Sequence, residues 1–292
     1  MPNHISNILT IEGDPELVAK IKGDIISVDE EGDIRHIDFN KIIPRPDSLD
    51  ITSGSSTSNG LAILKYRAGD DSEIRQIMGY AWAQEFATPD DLVNHMLEKG
   101  SANLEEAQKA LDNIRDYGHM DWYSWSIANW GTKWNAYDTN ENDDNGIYFQ
   151  TAWSNPYPVM VALSAKYPDA TFHVRFADED FGHNVGEYSL KNGDVIDENI
   201  PEGGSEEAYE MAADITGYED YFVDRMYDIE AESEEELEEY EKKYISVAYR
   251  KGVVQDFPRV VLDVMEKLAV EDENYEMAKQ IRDAIACNDE SE

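Results

Sequence analysis

The segment "FHVRFADEDFGHN" sets His173, Asp178, Glu179, Asp180 and His183 within eleven residues. Imidazole nitrogens beside carboxylates are a donor set for a divalent metal or for acid–base catalysis. His173 and Arg175 fall on one face of a strand while the three acids fall in the turn after it, so a polar turn is the simpler reading. "DTNENDDNG" places Asp138, Asn140 and Asn142 at alternate positions, as a calcium loop does, but the sixth and twelfth positions hold Asp143 and Phe149 instead of Gly and Glu. Asn, Asp and Gly bend a chain without a metal, and a turn is expected here. "GSSTSNG", Gly54–Gly60, lacks the lysine and the strand-to-helix context of a phosphate loop and reads as a flexible polar loop. No Ser-His-Asp order, HExxH or Gly-rich nucleotide motif is present. The metal-dependent enzyme at His173–His183 is therefore a minor alternative, and no cofactor is implied.

"DWYSWSIANWGTKWNAYD" contains four of the six tryptophans, Trp122, Trp125, Trp130 and Trp134, followed by Tyr137. Spacings of three to five put large rings on one side of a short helix that stops at Gly131, which suits packing on a sheet. The same aromatics could stack bases, but such platforms need cations beside them and Lys133 alone is near. A nucleic-acid module built from the sheet and this aromatic cluster is the competing function.

"DIEAESEEELEEYE" holds nine acids in fourteen residues. Wholly helical, it would span ~21 Å at 1.5 Å per residue, or one charge per ~2.3 Å, against roughly one per 1.7 Å in duplex DNA. The partner-binding candidates are Asp228, Glu230, Glu232, Glu234, Glu235, Glu236, Glu238 and Glu239. The bland counterpart is a solvated face balanced by Lys242 and Lys243.

The whole chain is acidic: 24 Lys and Arg against 63 Asp and Glu give a net charge of −39, yet 41% of its 292 residues are hydrophobic, too many for a disordered chain. Residues 201–292 carry 9 basic and 28 acidic side chains, against 15 and 35 in residues 1–200, so the last third holds half the charge. Such a field repels phosphate backbones and anionic membranes and attracts basic surfaces. It predicts no direct nucleic-acid binding at physiological salt, no membrane association, and a basic protein as partner. It leaves homo-oligomerisation open. Cys287 is the single cysteine, which excludes a disulfide framework and fits a reducing cytoplasm, and the N-terminus lacks a signal-peptide pattern.

The elements that must position these residues follow from pattern. "HISNILTIEG" alternates like a half-buried strand, and "DPELVAKIKGDI" starts a helix with Asp14 as cap and Pro15 in its first turn. "IRHIDFNKIIPRP" reads as a second strand ended by Pro44 and Pro46. Residues 61–118 are helical, with Thr88-Pro89 opening one helix and Gly118 closing another, and look like an insertion at about 55–120. "GIYFQTAWS", "NPYPVMVALSAKYPD" and "ATFHVRFAD" give strand, helix and strand, and Asn192-Gly193 turns a further hairpin. The fold expected is α+β: a ferredoxin-like split βαβ antiparallel sheet with a helical insertion over 1–200, then an acidic, mainly helical region over 201–292 beginning at the breaker "PEGGS".

The blocks "MPNHISNILTIEG", "IDFNKIIPRPDSL", "WYSWSIANWGTKWNAYD" and "FQTAWSNPYPVMVALSAKYPDATFHVRFADEDFGHNVG" together resemble the YubB-like family of plasmid and phage proteins. The resemblance implies a ferredoxin-like domain in a mobile-element protein and carries over no catalytic residue. The expectation is a non-enzymatic interaction protein in the host cytoplasm, an acidic mimic of nucleic acid that binds and inhibits a basic defence or DNA-handling protein.

Overall fold

The first strand, β1 (His4–Glu12), buries Ile5, Asn7, Leu9 and Ile11 and leaves the residues between them partly exposed, the period-two pattern of a strand with one face on a core. Asp14 accepts a hydrogen bond from the Glu16 amide at 2.9 Å, and Pro15 opens α1 (Pro15–Ile25). Two short strands follow, β2 (Ser27–Val28) and β3 (Ile34–Arg35). Five helices come next: α2 (Ser55–Arg67), α3 (Ser72–Met78), α4 (Pro89–Glu98), α5 (Leu104–Tyr117) and α6 (Trp122–Trp130). The chain continues through β4 (Tyr137–Glu141), β5 (Gly146–Ala152), α7 (Tyr157–Lys166), β6 (Thr171–Asp178), β7 (Gly186–Lys191) and β8 (Asp194–Asn199). It closes with α8 (Glu206–Thr216), α9 (Val223–Tyr227), α10 (Glu239–Arg250), α11 (Arg259–Glu271) and α12 (Tyr275–Asp289). This computed structural model describes residues 3–28, 32–141, 146–217, 223–255 and 257–289. The chain forms two compact units, one of residues 1–37, 136–155 and 160–292, the other of residues 38–135 and 156–159.

In the first unit six strands form one sheet in the order β4-β5-β1-β6-β7-β8, antiparallel at every junction. Strands β1, β4, β5 and β6 with α1 and α7 make the split βαβ pattern, and the β7–β8 hairpin extends it. Asn192 and Gly193 both have positive φ, 53° and 83°, as the tight hairpin turn between twisted strands requires. The end of α7 lies beside α1: the Tyr167 hydroxyl donates to Asp24 at 2.6 Å, and Lys20 Nζ lies 5.2 Å from the Tyr167 ring. On the opposite sheet face, Ile8 and Ala177 join one apolar cluster with Tyr209, Met226, Ile245, Val261 and Ile281 of the C-terminal helices.

"IRHIDFNKIIPRP" is no strand of the main sheet: Ile34–Arg35 pair with Ser27–Val28, and the Asp38 carboxylate accepts from the Asn40 amide at 2.9 Å to start a 3-10 turn at Phe39–Lys41. A side chain that bonds its own backbone competes with a ladder. The strand position belongs to β4, whose polar residues 138–141 form a strand where a turn is expected; the rest of that stretch, 142–145, lies outside the described residues. The helical insertion thus interrupts the first β-α-β crossover rather than following a second strand.

In the second unit the polar loop expected at Gly54–Gly60 is helix: α2 starts at Ser55 and packs along α5. Its poor intrinsic propensity is overridden by contacts. Ser56 accepts from the Asn103 amide at 2.9 Å, and Thr57 donates to Glu106 at 2.9 Å. At Gly60 the helices touch so closely that an added Cβ would lie 2.5 Å from the Asn103 carbonyl oxygen and 2.7 Å from the Ala107 Cβ. Gly60→Ala should therefore destabilise the chain by about 1–3 kcal/mol through overpacking, although alanine is worth roughly 1 kcal/mol more than glycine inside an exposed helix. Urea unfolding measures the sign; a stabilised variant would show that α2 and α5 are not held this closely.

Candidate functional site

All eight acids of the predicted partner-binding run, Asp228 to Glu239, are exposed. The segment is not the continuous helix that the ~2.3 Å charge spacing requires. It leaves α9 after Tyr227 and is irregular through Glu238, so helical spacing holds only from Glu239 in α10. Buried Ile229 and Leu237, 5% and 4% exposed, pin it to the apolar cluster beneath. Its backbone is tied down locally: the Glu232 amide donates to Glu236 at 2.9 Å, the Glu236 amide to the Ser233 carbonyl at 3.1 Å, and the Glu238 amide to Glu241 at 2.8 Å. Lys267 pairs with Glu234 at 2.8 Å and, by this hydrogen bond and its charge, holds the Glu234 carboxyl below the usual range. Two buried anchors and carboxylate-capped turns fix a row of outward carboxylates.

The aromatic cluster divides. Trp130, 1% exposed, stacks edge-on against Trp125 at 5.4 Å and Phe39 at 5.8 Å, and its indole N–H donates to the Ile43 carbonyl at 2.9 Å. Trp125 is likewise buried, at 6%. A ring with no exposed face cannot stack a base, so the packing role is the one these two serve. Trp122 meets Tyr123 edge-on, Lys133 lies 4.7 Å from the Trp134 ring, and both tryptophans are half-buried. Tyr137 belongs to the other compact unit, on β4.

The residues of "FHVRFADEDFGHN" go separate ways. His173 meets Ser189 at 2.8 Å and Glu12 at 3.1 Å, Asp178 accepts from Asn3, Asn184 and the Asp180 amide, and His183 lies 3.8 Å from Asp180. Among the described residues no three His, Cys, Asp or Glu side chains gather to hold a metal.

Sequence reasoning missed a polar strip on the sheet. The Tyr137 hydroxyl lies 2.7 Å from His4 Nδ1 and 3.2 Å from the Thr151 carbonyl, and Tyr148 bonds Ser6 and Gln150, each at 3.1 Å. The even positions of β1 carried the signal, but the partners lie more than 130 residues away and need the strand register. Burial, then the charges of Asp138 and Glu179, push the Tyr137 phenol up to about 12; burial and the bond to Asp24 do the same at Tyr167. A raised folded-state value favours the neutral phenol, so this stability is complete below about pH 10, the ordinary tyrosine value, and is lost as pH rises through about 12. Absorbance at 295 nm should show Tyr137 and Tyr167 ionising after the bulk of the tyrosines and together with alkaline unfolding; Tyr137→Phe and Tyr167→Phe should each remove part of the late phase.

Residues 130–219, from the end of α6 through α8, match the model of a family described as the ferredoxin-like domain in Api92-like protein. The split βαβ sheet and this match agree on a ferredoxin-like domain. Among solved structures, the crystal structure of protein Api92 from Yersinia pseudotuberculosis is similar at 12% identity, covering 70% of this chain and 100% of that one, with a TM-score of 0.34. No curated protein matches the sequence. No helix among the described residues is long and apolar enough to cross a membrane.

Proposed function

We propose that this chain is a non-enzymatic interaction protein of a mobile element, phage or plasmid, that occupies the nucleic-acid-binding surface of a basic host protein by presenting carboxylates where that surface expects phosphates. The observation that carries this reading is the exposed row from Asp228 to Glu239, held on the buried anchors Ile229 and Leu237 within a chain of net charge −39. Preorganised charge matters because ordering a flexible segment on binding costs free energy that a fixed surface does not spend. The opposed charges also steer encounter and exclude anionic partners. Mobile-element origin rests on the resemblance of the sequence blocks, and the inhibitory role on the charge.

Affinity capture from host lysate, with the wild-type chain beside one carrying Glu234, Glu235, Glu238 and Glu239 reversed to lysine, tests it. The expected catch is one or a few basic nucleic-acid-binding proteins, retained by wild type, released by salt and absent from the variant. An identical set on both chains would remove this segment from the function.

A further inference from the structure

The two edges of the main sheet are finished differently. At one, β4 carries a bulge between Tyr137 and Asn140 and is flanked by the β2–β3 ladder, with the His36 amide donating to Thr139 at 2.8 Å and β3 packed along it. At the other, all six residues of β8 are exposed and β7 is its sole strand neighbour among the described residues. An edge strand turns alternate N–H and C=O groups outward, a template for one more strand.

Around those groups stand two kinds of side chain. Asp194, Asp197 and Glu198 make the edge acidic, while Val195, Ile196 and Ile200 are 39%, 57% and 54% exposed. Asp194 and Asp197 pair across to Lys191 and Ser189 and so share one sheet face; Ile196 is the extra residue of a bulge between the Ser189 and Leu190 pairings. Acids and a bulge protect an edge against its own copy, since two such chains, each at −39, would bring like charges together. They do not protect against a strand of opposite sign. Ile200, beyond the end of β8, packs on Gly186 of β7, but the exposed Val195 and Ile196 serve no protective purpose and give such a strand something to pack on.

We propose that β8 is a docking edge that takes an extended segment of a partner protein, alternating lysine or arginine with aliphatic residues, as a seventh strand of the sheet. Main-chain hydrogen bonds supply the binding, and Asp194, Asp197 and Glu198 select its charge. The inference rests on the reading of this chain as a binder of basic partners for the sign of the charge, and not on the Asp228–Glu239 segment for the site.

The test titrates the full chain with an acetylated, amidated octapeptide alternating lysine and valine, and with the same peptide N-methylated on both strand edges, which keeps the charge and removes the hydrogen bonds. Amide exchange across residues 194–199 should slow by about tenfold or more at saturation. N-methylation should weaken binding by about tenfold or more, the worth of one or two hydrogen bonds. Reversal of Asp194, Asp197 and Glu198 to lysine should abolish binding, while reversal of Glu234, Glu235, Glu238 and Glu239 leaves protection of β8 in place. Equal affinity of the methylated peptide, or protection confined to residues 228–239, overturns the β8 proposal and leaves the acidic-segment reading standing. Protection of β8 that grows with protein concentration and needs no peptide overturns it in favour of a second copy.

Discussion

Reversing Glu234, Glu235, Glu238 and Glu239 to lysine is expected to weaken the complex with the captured basic partner on the order of 100-fold, chiefly through a slower association rate. The wild-type affinity should fall steeply with salt, because exposed charges are screened over ~8 Å at physiological ionic strength. The fold should survive. All four side chains are exposed, and the one ion pair given up among the described residues, Glu234 with Lys267, is of the exposed kind worth about 0–1 kcal/mol. The carboxylates of Glu236 and Glu241, which accept from the segment's own amides, stay in place, while Glu238 at the N-cap of α10 and Glu239 in its first turn give up a favourable charge worth about 0.3–1 kcal/mol each. Surface plasmon resonance across a salt series, with circular dichroism as the check on folding, reads both halves. An unchanged affinity in a folded variant would reduce the row to a solubilising face.

Trp130→Ala carries the largest stability effect. Removing a side chain 1% exposed, packed edge-on between Phe39 and Trp125, should cost about 3–5 kcal/mol. The Ile43 carbonyl also loses its indole donor. Trp130→Phe should recover part of the loss by refilling volume without restoring the hydrogen bond. Urea denaturation with exchange measured over residues 38–135 is the readout. A fully stable Trp130→Ala that lost binding to a ligand would restore the stacking platform that burial argues against.

How much was legible depended on how local the cause was. Asp14 with Pro15, Thr88 with Pro89, Gly118 and Asn192-Gly193 each act within a few residues, and each starts or ends its element where pattern placed it. β4 was missed because "YDTNE" is a polar edge strand whose structure comes from pairing with β5, so it has no apolar alternation of its own. "SSTSNG" reads as loop by propensity and is helix because α5 lies against it; the glycine that looked like flexibility is a contact. The acids were visible by composition, and their uniform exposure follows from two apolar residues, Ile229 and Leu237, that point the other way. The strip of His4, Tyr137 and Tyr148 needed the register of β1, β4 and β5, which no short window contains.

The most direct measurement of the central claim is competition. With the captured partner held on labelled duplex DNA, added wild-type chain should displace the DNA completely and stoichiometrically, while the four-fold lysine variant should fail to displace it at the same concentration. A ternary complex of DNA, partner and this chain, or displacement as efficient with the variant as with the wild type, would contradict the account.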